Sequence, residues 1–278
     1  SRAILRDLMG GVELARYVSY WAMITVLAID ISPFIGGFLQ EYFGWRPIFA
    51  LLLAYNLLAV YLSYQFKDNL GTLLNSHLRL NRILHIAWES LREPLFFKYN
   101  LLAALTYAAV MALLTVASFL FEHELGLSPA EFGATMLGLS FVYMFGAFVN
   151  GKLLHYFTMA QLVRNGIVVM WLSCIFLLVD TLFFSLSYWG LVSFIALLWL
   201  GCSALFANNS SIAFSVINKN IGVSSALFNT VQILFAAIIT AAISAFSAYS
   251  TVPLSVFMFG ICLGLTALFN WKIQSKEY

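Results

Sequence analysis

Eight stretches of this chain are apolar for about the 20 residues that a helix needs to cross the hydrocarbon core of a bilayer. They fall at 17–39, 48–64, 99–121, 132–152, 166–184, 188–206 (running on to about 216), 226–246 and 252–271. In lipid every backbone N–H and C=O must be satisfied internally, so continuous apolar runs of this length read as helices and not as alternating barrel strands. Only 9% of the 278 residues are charged, far below the quarter or so found in soluble domains. The predicted fold class is therefore an all-α polytopic membrane protein with eight transmembrane helices. The formal net charge of +2 gives no electrostatic case for nucleic acid.

Lysine and arginine set the orientation, because they accumulate in cytoplasmic loops. With both ends of this chain in the cytoplasm, thirteen of the fourteen basic residues lie inside and only Arg46 lies outside. Arg46 follows Trp45 and reads as an interfacial anchor. The longest connection, 67–98, carries five basic residues. Its apolar Leu74, Leu78, Ile83, Leu84 and Trp88 recur at roughly helical spacing, which predicts an amphipathic helix on the inner face.

The first span contains IDISPFIGGF, residues 29–38. Ala28, Ser32 and Gly36 recur every fourth residue, with Gly37 beside them, and such small-residue stripes allow close helix approach. Pro33 removes one backbone bond and bends the helix. The expected neighbour is the 132–152 span, which offers Gly138, Gly146 and Ala147. Asp30 lies off this stripe. A carboxylate at mid-membrane costs about 2.5–3.5 kcal/mol on insertion scales, and removal from water disfavours its charged form. It is the proton-coupling candidate; the competing reading is a protonated or locally bonded structural residue.

Other polar side chains inside spans are candidates for the wall of a substrate cavity: Asn208, Asn209, Gln232 and Asn56. Interhelical hydrogen bonding is the alternative for each. Tyr107 and Tyr143 are aromatic candidates for the same wall, which would suit amphipathic or cationic organic molecules. Asp180, near the outer end of its span, reads as reaching the headgroups. Cys174, Cys202 and Cys262 lie in apolar runs and read as packing residues. No metal-ligand spacing, phosphate-binding loop or catalytic triad occurs, so no cofactor, no metal and no enzymatic role is expected.

Two spans, a long basic loop and six spans become regular when read as the last eight helices of a six-plus-six plan. The motifs agree. SPFIGG resembles the fifth-helix motif Gly-x-x-x-Gly-Pro-x-x-Gly-Gly of drug:proton antiporters of the major facilitator superfamily. Pro33, Gly36 and Gly37 match, and Ala28 and Ser32 stand for the leading glycines. SRAILRDLMGGVELAR, FGWRPIF, LGLSPAEFG, GKLLHYFTMAQLVRNG and NIGVSSALFNTVQ resemble connecting segments of its bicyclomycin/chloramphenicol-resistance (Bcr/CflA) branch. The resemblance implies helices five to twelve of that fold, with the first four lacking. Residues 1–66 would end the N-terminal bundle, 67–98 would link, and 99–278 would form the C-terminal six-helix bundle. It further implies proton-coupled efflux of small lipophilic compounds across the bacterial inner membrane by alternating access, by a protein monomeric in its complete form. The partners would be a small-molecule substrate, protons and lipid. The alternative is a truncated, transport-inactive membrane protein with a structural or partner-binding role.

Overall fold

The structure, a computed structural model, describes residues 31–65, 80–183, 186–217, 221–245 and 251–271. These residues are mostly helical, with no strand among them. In chain order the helices are α1 (31–43), α2 (Arg46–Gln65), α3 (Leu80–Arg92), α4 (Pro94–Phe119), α5 (Pro129–Leu153), α6 (Met159–Phe183), α7 (Tyr188–Ser215), α8 (Ile221–Ala245) and α9 (Thr251–Asn270). A π-helical turn, Leu120–Glu124, prolongs α4. Among the described residues seven helices are long and apolar enough to cross a membrane. They coincide with seven of the eight expected spans; most of the remaining one, 17–39, lies outside the described residues, and its end is the helical 31–43.

The chain divides into two units. The first holds α1, α2, the opening of α3 up to His85 and the opening of α5. Gly44 separates α1 from α2 with φ +76°, and its N–H donates to the Gln40 carbonyl at 3.1 Å. This is the left-handed C-terminal cap that glycine adopts without a Cβ penalty. Helix α2 is apolar on every side and has no buried residue, a surface suited to lipid or to other helices.

The second unit is arranged around α4, which packs against α7, α8 and α9; α6 packs against α7 and α9. Ala103, Ala104, Ala108, Ala109, Ala112 and Ala117 of α4 are all buried. Lipid tails are as apolar as leucine, so helices associate through close van der Waals packing, and small side chains permit it. Helices α6 and α7 cross at backbone distance. A Cβ at Gly166 would lie 3.2 Å from the Gly201 carbonyl oxygen, and one at Gly201 would lie 3.1 Å from that of Gly166.

Helix starts are settled locally. The first turn of a helix leaves N–H groups without partners inside it. At α5, Ser128 Oγ accepts from the Glu131 N–H at 3.3 Å and Glu131 Oε2 accepts from the Ser128 N–H at 2.8 Å. Thr158 and Gln161 repeat this reciprocal box at α6, at 3.3 and 2.9 Å. Ser187 caps α7 through the Gly190 N–H at 3.0 Å. Each is the pattern of a serine or threonine with its partner three residues on.

Helix α4 begins at Pro94, five residues before the expected span. Proline is favoured at a first helical position, and its ring disfavours continuation of α3 through Glu93. The early start brings Lys98 into the helix. Its Nζ donates to the carbonyls of Phe269 at 2.8 Å and Trp271 at 2.9 Å, at the end of α9. A cation on the last carbonyls satisfies them and complements the helix dipole. Lys98→Met is expected to destabilise the folded protein by about 1.5–3 kcal/mol, the range for hydrogen bonds to a charged group. A thermal unfolding curve in detergent measures this, and an unchanged midpoint refutes it.

Candidate functional site

In the first unit, α1 meets the start of α5 through its backbone. Pro33, Gly37 and Glu41 recur every fourth residue and form one stripe. A Cβ on Gly133 would stand 2.6 Å from the Pro33 carbonyl oxygen and 2.9 Å from the Phe34 Cα. A Cβ on Gly37 would collide with the Pro129 carbonyl. Both positions therefore require glycine at this separation. Glu41 completes the stripe: its Oε2 accepts the Ala130 N–H at 2.9 Å. That N–H is one of the unpartnered donors of the first turn of α5, and a carboxylate there also meets the positive end of the helix dipole.

The close approach runs through Pro33 and Gly37, one residue round from the small-residue stripe read in the sequence. Gly36 has nothing within 4 Å of its Cβ position, Ser32 is exposed, and Ala28 and Asp30 lie outside the described residues. The neighbouring helix is the expected one, but its contact glycine is Gly133. Gly138 has nothing within 4 Å, and Gly146 lies in the second unit against Leu200 and Ser203. Gly133 closes the segment LGLSPAEFG and lies within the expected span 132–152, so the signal was present. Glu41 was also missed, because an acid near a helix end reads as solvated surface.

The second unit holds a polar layer above an aromatic cluster. Phe96 of α4, Phe214 of α7 and Phe228 of α8 touch one another, with ring centroids 6.1, 6.3 and 5.1 Å apart. Further along the same two helices, Tyr107 of α4 meets Phe206 of α7 at 6.3 Å. These contacts make α4 and α7 antiparallel. Between them fall Asn100, four residues after Phe96, and Asn209, five before Phe214. Gln232 stands four residues after Phe228. Asn100 and Asn209 are buried, and neither amide's nitrogen or oxygen has a hydrogen-bond partner. An unsatisfied buried amide is costly, at about 1–3 kcal/mol for each lost group. Asn208, beside them, is satisfied: Nδ2 donates to Asn150 Oδ1 of α5 and to its own Ala204 carbonyl, each at 2.8 Å.

The remaining predicted residues are dispersed. Gln232 is buried. Tyr107 and Tyr143 are half-buried, Tyr143 with its ring 6.2 Å from that of Trp199. Asn56 turns its amide onto its own helix, donating to the Leu52 carbonyl at 2.7 Å. The Asp180 carboxylate lies over the first turn of α7, where a Cβ at Gly190 would come within 2.7 Å of it; this is a helix N-terminus, which favours a negative charge. Cys174, Cys202 and Cys262 are buried free thiols. No group of three or more metal-ligating side chains occurs among the described residues. Asn100 and Asn150 were missed because each stands beside a lysine near a span end, in KYN and VNGK, where an amide reads as interfacial.

Residues 1–240 match the Major Facilitator Superfamily. The chain belongs to that superfamily. It is similar to a Haemophilus influenzae protein named bicyclomycin resistance protein homolog, 22% identical over 279 residues, covering 100% of this chain and 69% of that protein. It is also similar to the uncharacterized MFS-type transporter YdgK of Bacillus subtilis, 23% identical over 264 residues, covering 93% of this chain and 65% of that protein. The chain thus spans about two thirds of the length of these curated relatives. Membership makes it an all-α multi-pass membrane protein of a superfamily that carries small molecules through two helical bundles by rocking one against the other.

In this member of the Major Facilitator Superfamily, Gly133→Val is expected to drive α1 from α5, since overpacking a close contact costs about 1–3 kcal/mol. The readout is cross-linking of Glu41→Cys to Ala130→Cys by a short bifunctional thiol reagent: efficient in the native background, several-fold weaker with Gly133→Val. Equal cross-linking in both refutes the contact. Asn208→Leu and Asn150→Leu are each expected to lower stability by about 0.6–1.7 kcal/mol, and the double variant by less than their sum. Strict additivity in unfolding curves refutes the coupling.

Proposed function

We propose that the chain forms helices five to twelve of a proton-coupled exporter of small lipophilic compounds, acting in the bacterial inner membrane with both ends of this chain cytoplasmic. The observation that carries this reading is the α1–α5 contact. The sequence motif that resembles the antiporter motif supplies Pro33 and Gly37, and those residues meet α5 at backbone distance. Under this reading the contact is a seam at the outer ends of the two helices that keeps the substrate path closed toward the outside. The similarity to a protein named bicyclomycin resistance protein homolog agrees with a drug-like substrate.

Alternating access requires that proton and substrate each favour one state of the protein over the other. Asp30 is the proton-binding candidate, as the acid nearest the middle of the apolar stretch 17–39. Asn208, Asn209, Gln232, Asn56, Tyr107 and Tyr143 are the candidates for substrate contact, the amides by hydrogen bonding and the rings by stacking. Asn209 is the strongest of the amides, since its two hydrogen-bonding ends are uncommitted. Ala28, Ser32 and Gly36 keep the other face of the motif small for close approach as the bundles rock.

Asp30→Asn keeps the size and removes the titratable proton. It is expected to abolish gradient-driven export in everted vesicles from cells making the protein, while membrane insertion is unchanged. Export at the native rate removes Asp30 from the coupling step.

A further inference from the structure

Helix α3 divides lengthwise into three strips. Ile83, Ile86, Ala87 and Ser90 face the protein; Ile86 and Ser90 are buried, the other two half-buried. Ser90 Oγ donates to the Ile86 carbonyl at 2.9 Å and shares a hydrogen bond of 2.8 Å with Ser224 Oγ, in the first turn of α8. A second strip, Leu84, Trp88 and Arg92, recurs every fourth residue and is exposed: Leu84 by 58% and Trp88 by 56%. The Arg92 guanidinium lies over the Trp88 ring at 5.2 Å. The third strip, Arg82, His85 and Glu89, is polar and also exposed.

Position gives the second strip its surroundings. Through Ser90, α3 rests on the first turn of one spanning helix, and after Glu93 alone it runs into another, α4. It is therefore held at the level where spanning helices leave the hydrocarbon. Tryptophan favours this depth, with its ring body apolar and its N–H wet. A guanidinium held over a ring still has N–H groups to offer, and its fork of donors matches a phosphate group. Arg82 adds a second cation from the neighbouring strip, and anionic headgroups attract basic side chains at an amphipathic helix.

We propose that α3 is a binding site for anionic phospholipid, with Leu84 and Trp88 seated against the headgroup ends of the acyl chains and Arg92 and Arg82, about 15 Å apart along the helix, on the phosphates of neighbouring headgroups. Three strips then meet three environments: protein, lipid and water. The site depends only on the chain being a membrane protein and is independent of what it transports.

The test is quenching of tryptophan fluorescence by brominated lipid in the purified full chain, with phosphatidylglycerol compared against phosphatidylcholine. We expect a quenched component for phosphatidylglycerol that disappears in Trp88→Phe. Binding should weaken about fivefold per arginine removed, or about 25-fold in Arg82→Gln/Arg92→Gln, with phosphatidylcholine unaffected. High salt should weaken phosphatidylglycerol binding in the native chain, a readout that does not depend on any variant folding. Equal quenching by both lipids, survival of the component in Trp88→Phe, or salt-independent binding overturns the proposal. Native-strength binding by a double variant with an unchanged melting curve does so as well, and leaves α3 as a surface for a protein.

Discussion

Helices in a bilayer gain nothing from hiding apolar surface against one another, because lipid is equally apolar. What remains is closeness of approach and the satisfaction of polar groups. Both are visible here. Gly133 against Pro33, Gly37 against Pro129, and Gly166 against Gly201 bring backbones together at distances where no Cβ fits. Six buried alanines let α4 stand among three neighbours. The larger side chains fill in around these contacts, as Leu205 and Met170 do beside the Gly166–Gly201 crossing.

Polar groups supply the second half of the same logic. Asn208 and Asn150 satisfy each other across α7 and α5, Ser90 and Ser224 across α3 and α8, and Trp171 donates its indole N–H to Thr266 across α6 and α9 at 2.8 Å. Each bond joins helices far apart in sequence, so each specifies a neighbour in a way that apolar packing does not. Against this pattern the unpartnered amides of Asn100 and Asn209 stand out. They are buried in α4 and α7, two helices that pack against each other, and carry hydrogen-bonding capacity that the fold itself leaves unused.

The number and approximate place of the described spans were legible in the sequence because twenty apolar residues have few alternatives in a cell. Their starts were not, since polar caps set Met159 and Pro129, and proline itself sets Pro94, several residues before the apolar runs. Helix phase was less legible. A stripe of small residues at 28, 32 and 36 and one of Pro33, Gly37 and Glu41 differ by one residue, and a proline-containing helix does not keep an ideal period. The partner glycine, Gly133, lies within the expected span 132–152, but which of its glycines faces Pro33 depends on helix phase and register, which the apolar pattern does not fix. Within the linker, Leu74 and Leu78 lie outside the described residues, while Ile83 faces the protein and Leu84 and Trp88 do not. Composition alone cannot separate an apolar strip that meets protein from one that does not. Asn100 and Asn150 were hidden by adjacent lysines.

The helix caps bear on the order in which such a chain is made. Ser128 with Glu131 and Thr158 with Gln161 close their boxes within four residues, and Ser187 caps within the same distance. Helices α5, α6 and α7 can thus complete much of their first turns while still alone in the bilayer, as soon as each has left the ribosome. The carbonyls at the end of α9 depend instead on Lys98, 171 and 173 residues earlier. That end cannot be satisfied in this way until the last helix has returned to α4, so the ammonium of a residue inserted early acts as the clasp that fastens the bundle after synthesis has passed α9.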